Sequence, residues 1–594
     1  MGLLLALVLA NPVASLGQSA GERYPGEQWM RYANVEQAGF DATKLAAARE
    51  MWEALPSSAF LVVADGAVVA TWGEVGRRFM CHSVRKSFLS ALYGIYWERG
   101  EIALNKTLAD LGIDDEPDPL LESEKQARIL DLLKARSGVF HPAAYAGRTD
   151  SRPRGSEGPG RYFAYNNWDF NTSAAILMQE TGDDVFEAFD RYFGQPLEME
   201  DWRLSDGYYH YERDKSKYPA YPFRMSARDA ARFGLLFARD GVWDGERILS
   251  HYWIQRSSAL YSIDNDVFGY GFYWWILREP RFARHGMYAA LGVGNQMIAV
   301  LPKSDMVIVN RANTYQGEGT PTGPLLDLIE QVLAARTGTP VSNPRLVPLE
   351  VRADPLVTSV SDDRLAEFMG EWELPPAPLG LPARTTVRIT AEDGHLVGYI
   401  PVAGTFKLYL QPDGALHEED SYRHYVPVRD AAGSFAGIAD VRSVLTAALI
   451  AASGGQNDRA QELLALVASD EGVQVGVGRA IVQLLGGGQP SAELTVRELA
   501  ARDEPARVEA EVNAIGYAML RTLRAEQALA VFELNTRVFP ESFNTWDSLG
   551  EAHMVLGHDE EAIRAYERSL ELNPNNTNAQ TMISRIRGGA GQMN

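Results

Sequence analysis

Five positions near the end of the chain recur at a fixed offset of 34 residues: Ile515, Gly516, Ala528, Phe532 and Pro540 return as Leu549, Gly550, Ala562, Tyr566 and Pro574. A period of this length predicts stacked helix pairs, each burying its apolar face against the next. The small residues Gly516/Gly550 and Ala528/Ala562 let two helices approach closely, and the prolines end the second helix of each pair. Trp546 in the second copy stands where the first has Val512. Two copies are too few to stand alone, so neighbouring helices or the main body should cap them. The expectation is a helical repeat tail over 507–590, preceded by an Ala/Leu/Glu-rich helical segment over 442–506.

The rest of the chain patterns differently. With 594 residues, 46% hydrophobic and 23% charged, the composition is that of ordinary globular protein. At roughly 150 residues per domain, two to four domains are expected. Phe60–Trp72 reads FLVVADGAVVATW, two β-rich runs flanking Asp65-Gly66, which is a hairpin signal because Gly accepts positive φ. SVRKSFLSALYGIYWERG follows, with Phe88, Leu92, Ile95 and Tyr96 at helical spacing and Gly100 as the stop. Further on, Tyr270–Leu277, Met287–Leu301 and Met306–Asn310 read as strands, the last two joined by the turn residues 302–305. One large domain over 25–337 therefore has strands near both ends and helices between. Residues 338–359 read as a linker rich in Pro, Val and Ser. Short strand-like runs at Thr385–Ile389, His395–Val402, Thr405–Tyr409 and Tyr422–Val428 predict a small antiparallel β domain over 360–441.

Charge and the N-terminus narrow the function. The formal net charge is −22, from 56 basic and 78 acidic residues, with no Lys/Arg run. Nucleic-acid binding through the phosphate backbone is not expected of such a chain. Leu3–Ala10 is an apolar run followed by Pro12, Ala14, Ser15 and Gly17, so residues 1–17 read as a signal peptide and the protein as periplasmic or secreted. The basic n-region is absent, since no Lys or Arg precedes Arg23. No stretch has the ~20 apolar residues of a membrane span. Cys81 is the single cysteine, so no intrachain disulfide forms.

Three short motifs could carry chemistry. In Ser83-Val84-Arg85-Lys86, the i, i+3 spacing puts Ser83 and Lys86 on one helix face. A serine hydroxyl needs a base, and a buried lysine can be one. A serine at a helix start also sets its backbone N–H beside a developing oxyanion. In Tyr165-Asn166-Asn167-Trp168, the phenol could shuttle a proton and the Asn167 amide could hold Lys86 or a substrate carbonyl. Gly292-Val293-Gly294-Asn295-Gln296 opens a strand where backbone could approach a substrate closely. Each motif also has a plain structural reading: an N-cap, a buried aromatic turn, a bulge.

The order of these motifs resembles the serine β-lactamase and penicillin-binding-protein superfamily, and within it the class C β-lactamases, family VIII carboxylesterases and 6-aminohexanoate-dimer hydrolases. ILDLLKARSGVFHP around Ser137-Gly138, Arg224–Leu249 and Gly269–Trp275 are similar to family stretches, and the resemblance covers about residues 25–335. It implies an α/β (α+β) fold with an antiparallel sheet flanked by helices. The small β domain and the tail, which resembles tetratricopeptide repeats, are then appendages. Carried over by position, Ser83 would be the acylated nucleophile and Lys86 its base, alone or with Tyr165. Tyr165 would protonate the leaving group and later activate water. Asn167 would orient Lys86 and substrate, and the N–H groups of Ser83 and Val293, beside Gly292, would form the oxyanion hole. Trp168, Tyr162, Trp274 and Trp275 are expected to line the cleft, although adjacent Trp274 and Trp275 must point to opposite faces.

The third motif departs from the family. Lys-Thr-Gly or His-Thr/Ser-Gly is usual there, whereas this chain has Ala290-Leu291-Gly292. Losing a charged hydrogen bond in a desolvated site costs about 1.5–3 kcal/mol, which favours neutral esters or amides over β-lactams unless Arg284 or His285 substitutes. No zinc spacing and no complete calcium loop occur, and no metal or cofactor is expected. His82, Cys81 and His141 read as packing or structural residues. The leading expectation is a carboxylesterase-like serine hydrolase. Amidase or oligomer hydrolase follows, then β-lactamase or D-amino-acid peptidase. The rival from another class is an inactive binding module. In either case the tail would dock a protein partner, self-associate or buttress the fold.

Overall fold

The computed structural model describes residues 23–146, 152–316, 319–351, 356–374, 385–400 and 404–589, apart from single positions 420, 422, 431, 471 and 523. The expected signal peptide lies outside the described residues. The chain divides into two compact units, 1–354 with 401–405 and 355–400 with 406–594.

The first unit is built on a ten-stranded sheet. Its order from one edge is Leu346–Pro348, Met30–Tyr32, Ala67–Gly73, Ala59–Ala64, Met306–Arg311, Gln296–Leu301, Tyr288–Gly292, Trp275–Leu277, Phe268–Tyr270 and Ser262–Ile263. Neighbours pair antiparallel except Met30–Tyr32 with Ala67–Gly73. The central strands Ala59–Ala64, Gln296–Leu301 and Met306–Arg311 are buried at every position because both faces are covered. Leu61 and Val63 join a core with the helices Arg85–Glu98, Asn167–Thr181 and Ala227–Ala238. Phe60, Val62 and Ala64 face the other way, onto Ala42–Glu53 and Thr322–Ala335. Arg85–Glu98 is buried from Arg85 to Tyr96, which is why its sequence is apolar nearly all round.

Asp65 and Gly66 form the expected hairpin with φ of 51° and 72°, the left-handed values of a primed turn. Met287–Leu301, expected as one strand, is instead a hairpin. Gly294 and Asn295, at φ 77° and 55°, reverse the chain between Tyr288–Gly292 and Gln296–Leu301. Tyr270–Leu277 is also two strands, turned at Tyr273 with φ 63°. The expected linker is not wholly irregular, since Leu346–Pro348 pairs with Met30–Tyr32 at the sheet edge.

The second unit begins with a seven-stranded antiparallel sheet whose first and last strands, Gly370–Glu373 and Phe435–Asp440, approach each other, so that it nearly closes. The sequence pattern does not mark Leu416–Glu418 or these two outer strands as strands. Helices follow from Val441 onward. The repeat appears as Pro505–Arg521 with Ala525–Val538, then Phe543–Val555 with Asp559–Leu572. A Cβ added at Gly516 would lie 2.5 Å from the Phe532 ring, and one at Gly550 would lie 2.8 Å from the Tyr566 ring. The recurring glycines and aromatics thus make the same helix contact in each copy. Gly550→Val should overpack this contact by about 1–3 kcal/mol. Hydrogen exchange should then show lost protection across residues 543–572, and unchanged protection there would contradict the packing argument.

Candidate active site

The chain leaves the short strand Phe79–Met80, makes a 3-10 turn over His82–Val84 and enters the helix Arg85–Glu98. Ser83 thus sits in the tight turn that leads into the helix, one turn before Lys86. The Lys86 ammonium nitrogen lies 2.9 Å from Ser83 Oγ, 2.6 Å from Tyr165 Oη and 2.9 Å from Asn167 Oδ1. Tyr165 and Asn167 are 79 and 81 residues from Lys86 in sequence. They arrive because Asn166 caps the helix Asn167–Thr181, its side chain accepting from the Trp168 N–H at 2.7 Å and donating to the Val139 carbonyl at 2.7 Å. The Asn167 amide has one orientation available, because Nδ2 donates to the Tyr145 carbonyl at 2.6 Å and Oδ1 is left for Lys86.

The surroundings favour an uncharged lysine. Burial, then the nearby Arg85 guanidinium, hold Lys86 well below the usual lysine range. Arg85 is itself buried between aromatic rings and, among the described residues, has Asn171 and no carboxylate as its polar partner. The faces of Tyr165 and Phe170, 4.2 and 4.0 Å from the lysine nitrogen, pull towards the cation and offset part of this. Burial pushes the Tyr165 phenol up to about 12, against lowering by its hydrogen bond to Ser83 and by Arg85. Phe170, Tyr270 and Trp275 pack round the Tyr165 ring at 4.8 to 5.8 Å.

Gly292 closes the other side. A Cβ there would fall 2.4 Å from the Cys81 carbonyl oxygen and 3.1 Å from the Ser83 nitrogen. Only glycine lets strand Tyr288–Gly292 lie this close to the Ser83 turn. Val293 follows at the strand end and is 65% exposed.

The structure corrects several expectations. Trp168 is fully buried, and its ring N–H donates to Asp115 at 2.6 Å. One residue beyond Asn167, it is rotated about 100° round the helix, into the core. Trp274 is also core, whereas Trp275 is half-buried beside Tyr165. Arg284 and His285 precede the far end of strand Tyr288–Gly292, and His285 pairs with Ser304 at 2.7 Å. Five residues of strand span about 14 Å, so neither replaces the missing third-motif cation. His141, in contrast, is structural as expected, its ring nitrogens each 2.8 Å from the carbonyls of Pro142 and Asp118. Tyr145, His82 and Thr314 also meet at the site, and no local pattern in the sequence marks them. Among the described residues no cluster of three His, Cys, Asp or Glu could hold a metal ion, and no helix is long and apolar enough to cross a membrane.

Residues 46–330 match the Beta-lactamase family model, and residues 543–576 match a tetratricopeptide repeat. A 6-aminohexanoate-dimer hydrolase of Paenarthrobacter ureafaciens is 24% identical over 328 residues, covering 48% of this chain and 81% of that protein. Among solved structures, a penicillin-binding protein of Bacillus halodurans is similar at 17% identity, covering 48% of this chain and 99% of that one, with a TM-score of 0.37. A penicillin-binding-protein homologue of Caulobacter crescentus is similar at 14% identity, covering 49% and 97%, with a TM-score of 0.38.

Proposed function

The chain carries a Beta-lactamase-family domain, and from that premise we propose an exported serine hydrolase that cleaves an uncharged ester or amide through an acyl-enzyme on Ser83. The observation that carries this reading is the buried lysine nitrogen within hydrogen-bond reach of a serine hydroxyl, a phenol and a fixed amide oxygen. A neutral amine has two N–H groups and one lone pair. Asn167 Oδ1 can only accept, so one N–H is committed there, and the lone pair is free to take the Ser83 proton. Ser83 Oγ then attacks the acyl carbonyl. The N–H groups of Ser83 and Val293 receive the oxyanion. Tyr165, still protonated at neutral pH, donates to the leaving group and is recharged from Lys86. Water later attacks the acyl-enzyme, giving its proton back through the same pair.

Substrate charge follows from the third motif. Ala290 is buried and Leu291 half-buried, so neither offers a cation or hydroxyl to a carboxylate. An uncharged acyl donor loses nothing there. A carboxylesterase is the first reading. Amide cleavage is the second, favoured by the 2.6 Å contact between Tyr165 and Lys86, because an amine leaves only when protonated and an activated ester does not need that step. The tetratricopeptide tail is proposed as a contact for a protein partner or a second copy.

Intact-mass labelling with a fluorophosphonate tests the mechanism. The wild type should gain one adduct and Ser83→Ala none, with turnover of p-nitrophenyl butyrate lost in parallel. Turnover of butyryl p-nitroanilide alongside it decides between ester and amide. A folded wild type that neither labels nor turns over sinks the hydrolase reading.

A further inference from the structure

Two aromatic residues beside the site hold backbone conformations that side chains of their kind rarely adopt. His82 has φ 47° and Tyr145 has φ 57°. Glycine would take either without strain, so the side chains must supply something that keeps these residues in the left-handed region. They are hydrogen-bonded to each other. Tyr145 Oη lies 2.9 Å from His82 Nδ1, and the rings stack with centroids 6.1 Å apart and planes 20° from parallel. The other ring nitrogen, Nε2, lies 2.8 Å from Thr314 Oγ1. The imidazole therefore bridges two segments that are 63 residues after it on one side and 232 on the other.

Both ends of this bridge touch the reacting groups through backbone. His82 immediately precedes Ser83, so its φ and ψ set the direction of the Ser83 N–H. That nitrogen lies where a Cβ on Gly292 would be 3.1 Å away, alongside the strand end that carries the Val293 N–H. Tyr145 is pinned from three sides: its N–H donates to Glu212 at 2.9 Å, its carbonyl accepts from Asn167 at 2.6 Å, and its hydroxyl meets His82. Asn167 in turn meets Lys86. One ring thus ties the oxyanion donor to the amide that orients the base.

We propose that His82, held between the Tyr145 hydroxyl and the Thr314 hydroxyl, is a positioning residue that aims the Ser83 N–H at the oxyanion and shares, through Tyr145, the anchor of the Asn167–Lys86 contact. This rests on the hydrolase reading above and adds to it residues outside the three motifs. The ring acts as a neutral strut. Burial, with Arg311, Arg85 and Lys86 near it, lowers its pKa to about 3. Tyr145 then donates to Nδ1, and Nε2–H donates to Thr314.

The full-length protein is tested with Tyr145→Phe, which removes only the hydroxyl, and with Thr314→Val and Thr314→Ser. Fluorophosphonate acylation rate, kcat and KM for p-nitrophenyl butyrate, and thermal unfolding are measured together. Tyr145→Phe and Thr314→Val should each slow acylation and kcat by about tenfold with KM little changed, since a tilted N–H costs more in the transition state than in the ground state. Thr314→Ser should return the rate to near wild type. The double variant Tyr145→Phe/Thr314→Val should lose less than the product of the single losses, because both act through one ring. Nitrogen-15 spectra should show the His82 ring as a single Nε2–H tautomer across neutral pH. A wild type that labels at Ser83 while both single variants label at its rate overturns the positioning role and leaves the hydrolase reading standing. A folded wild type that does not label at Ser83 overturns both.

Discussion

Lys86→Met should slow acylation of Ser83 by about 10³-fold, within the range assigned to a positioned general base, while the protein stays folded. Methionine matches the lysine stem and suits the aromatic wall of Tyr165 and Phe170. The pH dependence gives a second, independent reading. Burial and Arg85 hold the lysine low, which favours the neutral amine, and acid protonates it. Acylation of the wild type should therefore fall on acidification through that lowered pKa, and Lys86→Met should show a flat residual rate. Tyr165, pushed up to about 12, adds no alkaline limb below about pH 10. Linkage has a definite sign here. The unfolded chain binds a proton that the folded chain does not, so folding gains stability as pH rises from the lowered value towards an ordinary lysine pKa of about 10.4. At neutral pH the lysine is thus a cost to folding, and Lys86→Met should melt at or above the wild-type temperature. Rapid mixing with fluorophosphonate across pH 5–10, paired with thermal unfolding, checks all three statements. Wild-type labelling rates in Lys86→Met would remove the lysine from the mechanism.

What the sequence made legible was local. Asp65-Gly66 sets its own turn, because the φ preference belongs to those two residues. Ser83 and Lys86 share a face because three residues make about one helical turn, and the 3-10 start does not change that. The tail repeat is visible because each glycine contacts an aromatic sixteen residues on, a separation a periodic pattern records. Contacts closed by distant segments left no such trace. Trp168 looked like a cleft residue because polar site residues surround it in sequence, yet its partner Asp115 lies 53 positions back. Leu346–Pro348 reads as irregular until Met30–Tyr32 pairs with it across more than three hundred residues. Met287–Leu301 reads as one strand because apolar runs flank Gly292–Gln296 on both sides, and the two left-handed residues between them, which reverse the chain, read equally well as a bulge. His82 reads as packing for the same reason: its partners Tyr145 and Thr314 are connected to it by no spacing rule.

Gly292→Ala should be as damaging as the loss of a hydrogen-bond donor, although it adds a single methyl group. The backbone itself would accept alanine, since Gly292 has an extended φ of −137°. The obstacle is contact. The new Cβ would lie 2.4 Å from the Cys81 carbonyl oxygen, a distance real Cβ atoms do not tolerate, and 3.1 Å from the Ser83 nitrogen. The turn is anchored from outside, the Cys81 N–H donating to the Phe223 carbonyl at 2.8 Å, so it cannot retreat without straining that bond. The strand end must move instead, carrying the Val293 N–H away from the Ser83 N–H. Oxyanion donors act only within about 3 Å of the developing charge, and losing one typically costs 10²–10³ in kcat. The loss should fall on kcat and acylation rate, with KM little changed, because the ground-state carbonyl carries less charge than the tetrahedral intermediate. Steady-state kinetics of p-nitrophenyl butyrate hydrolysis and the fluorophosphonate acylation rate measure this directly. A raised KM with unchanged kcat would mean that Gly292 borders the binding cleft and that the oxyanion is received elsewhere.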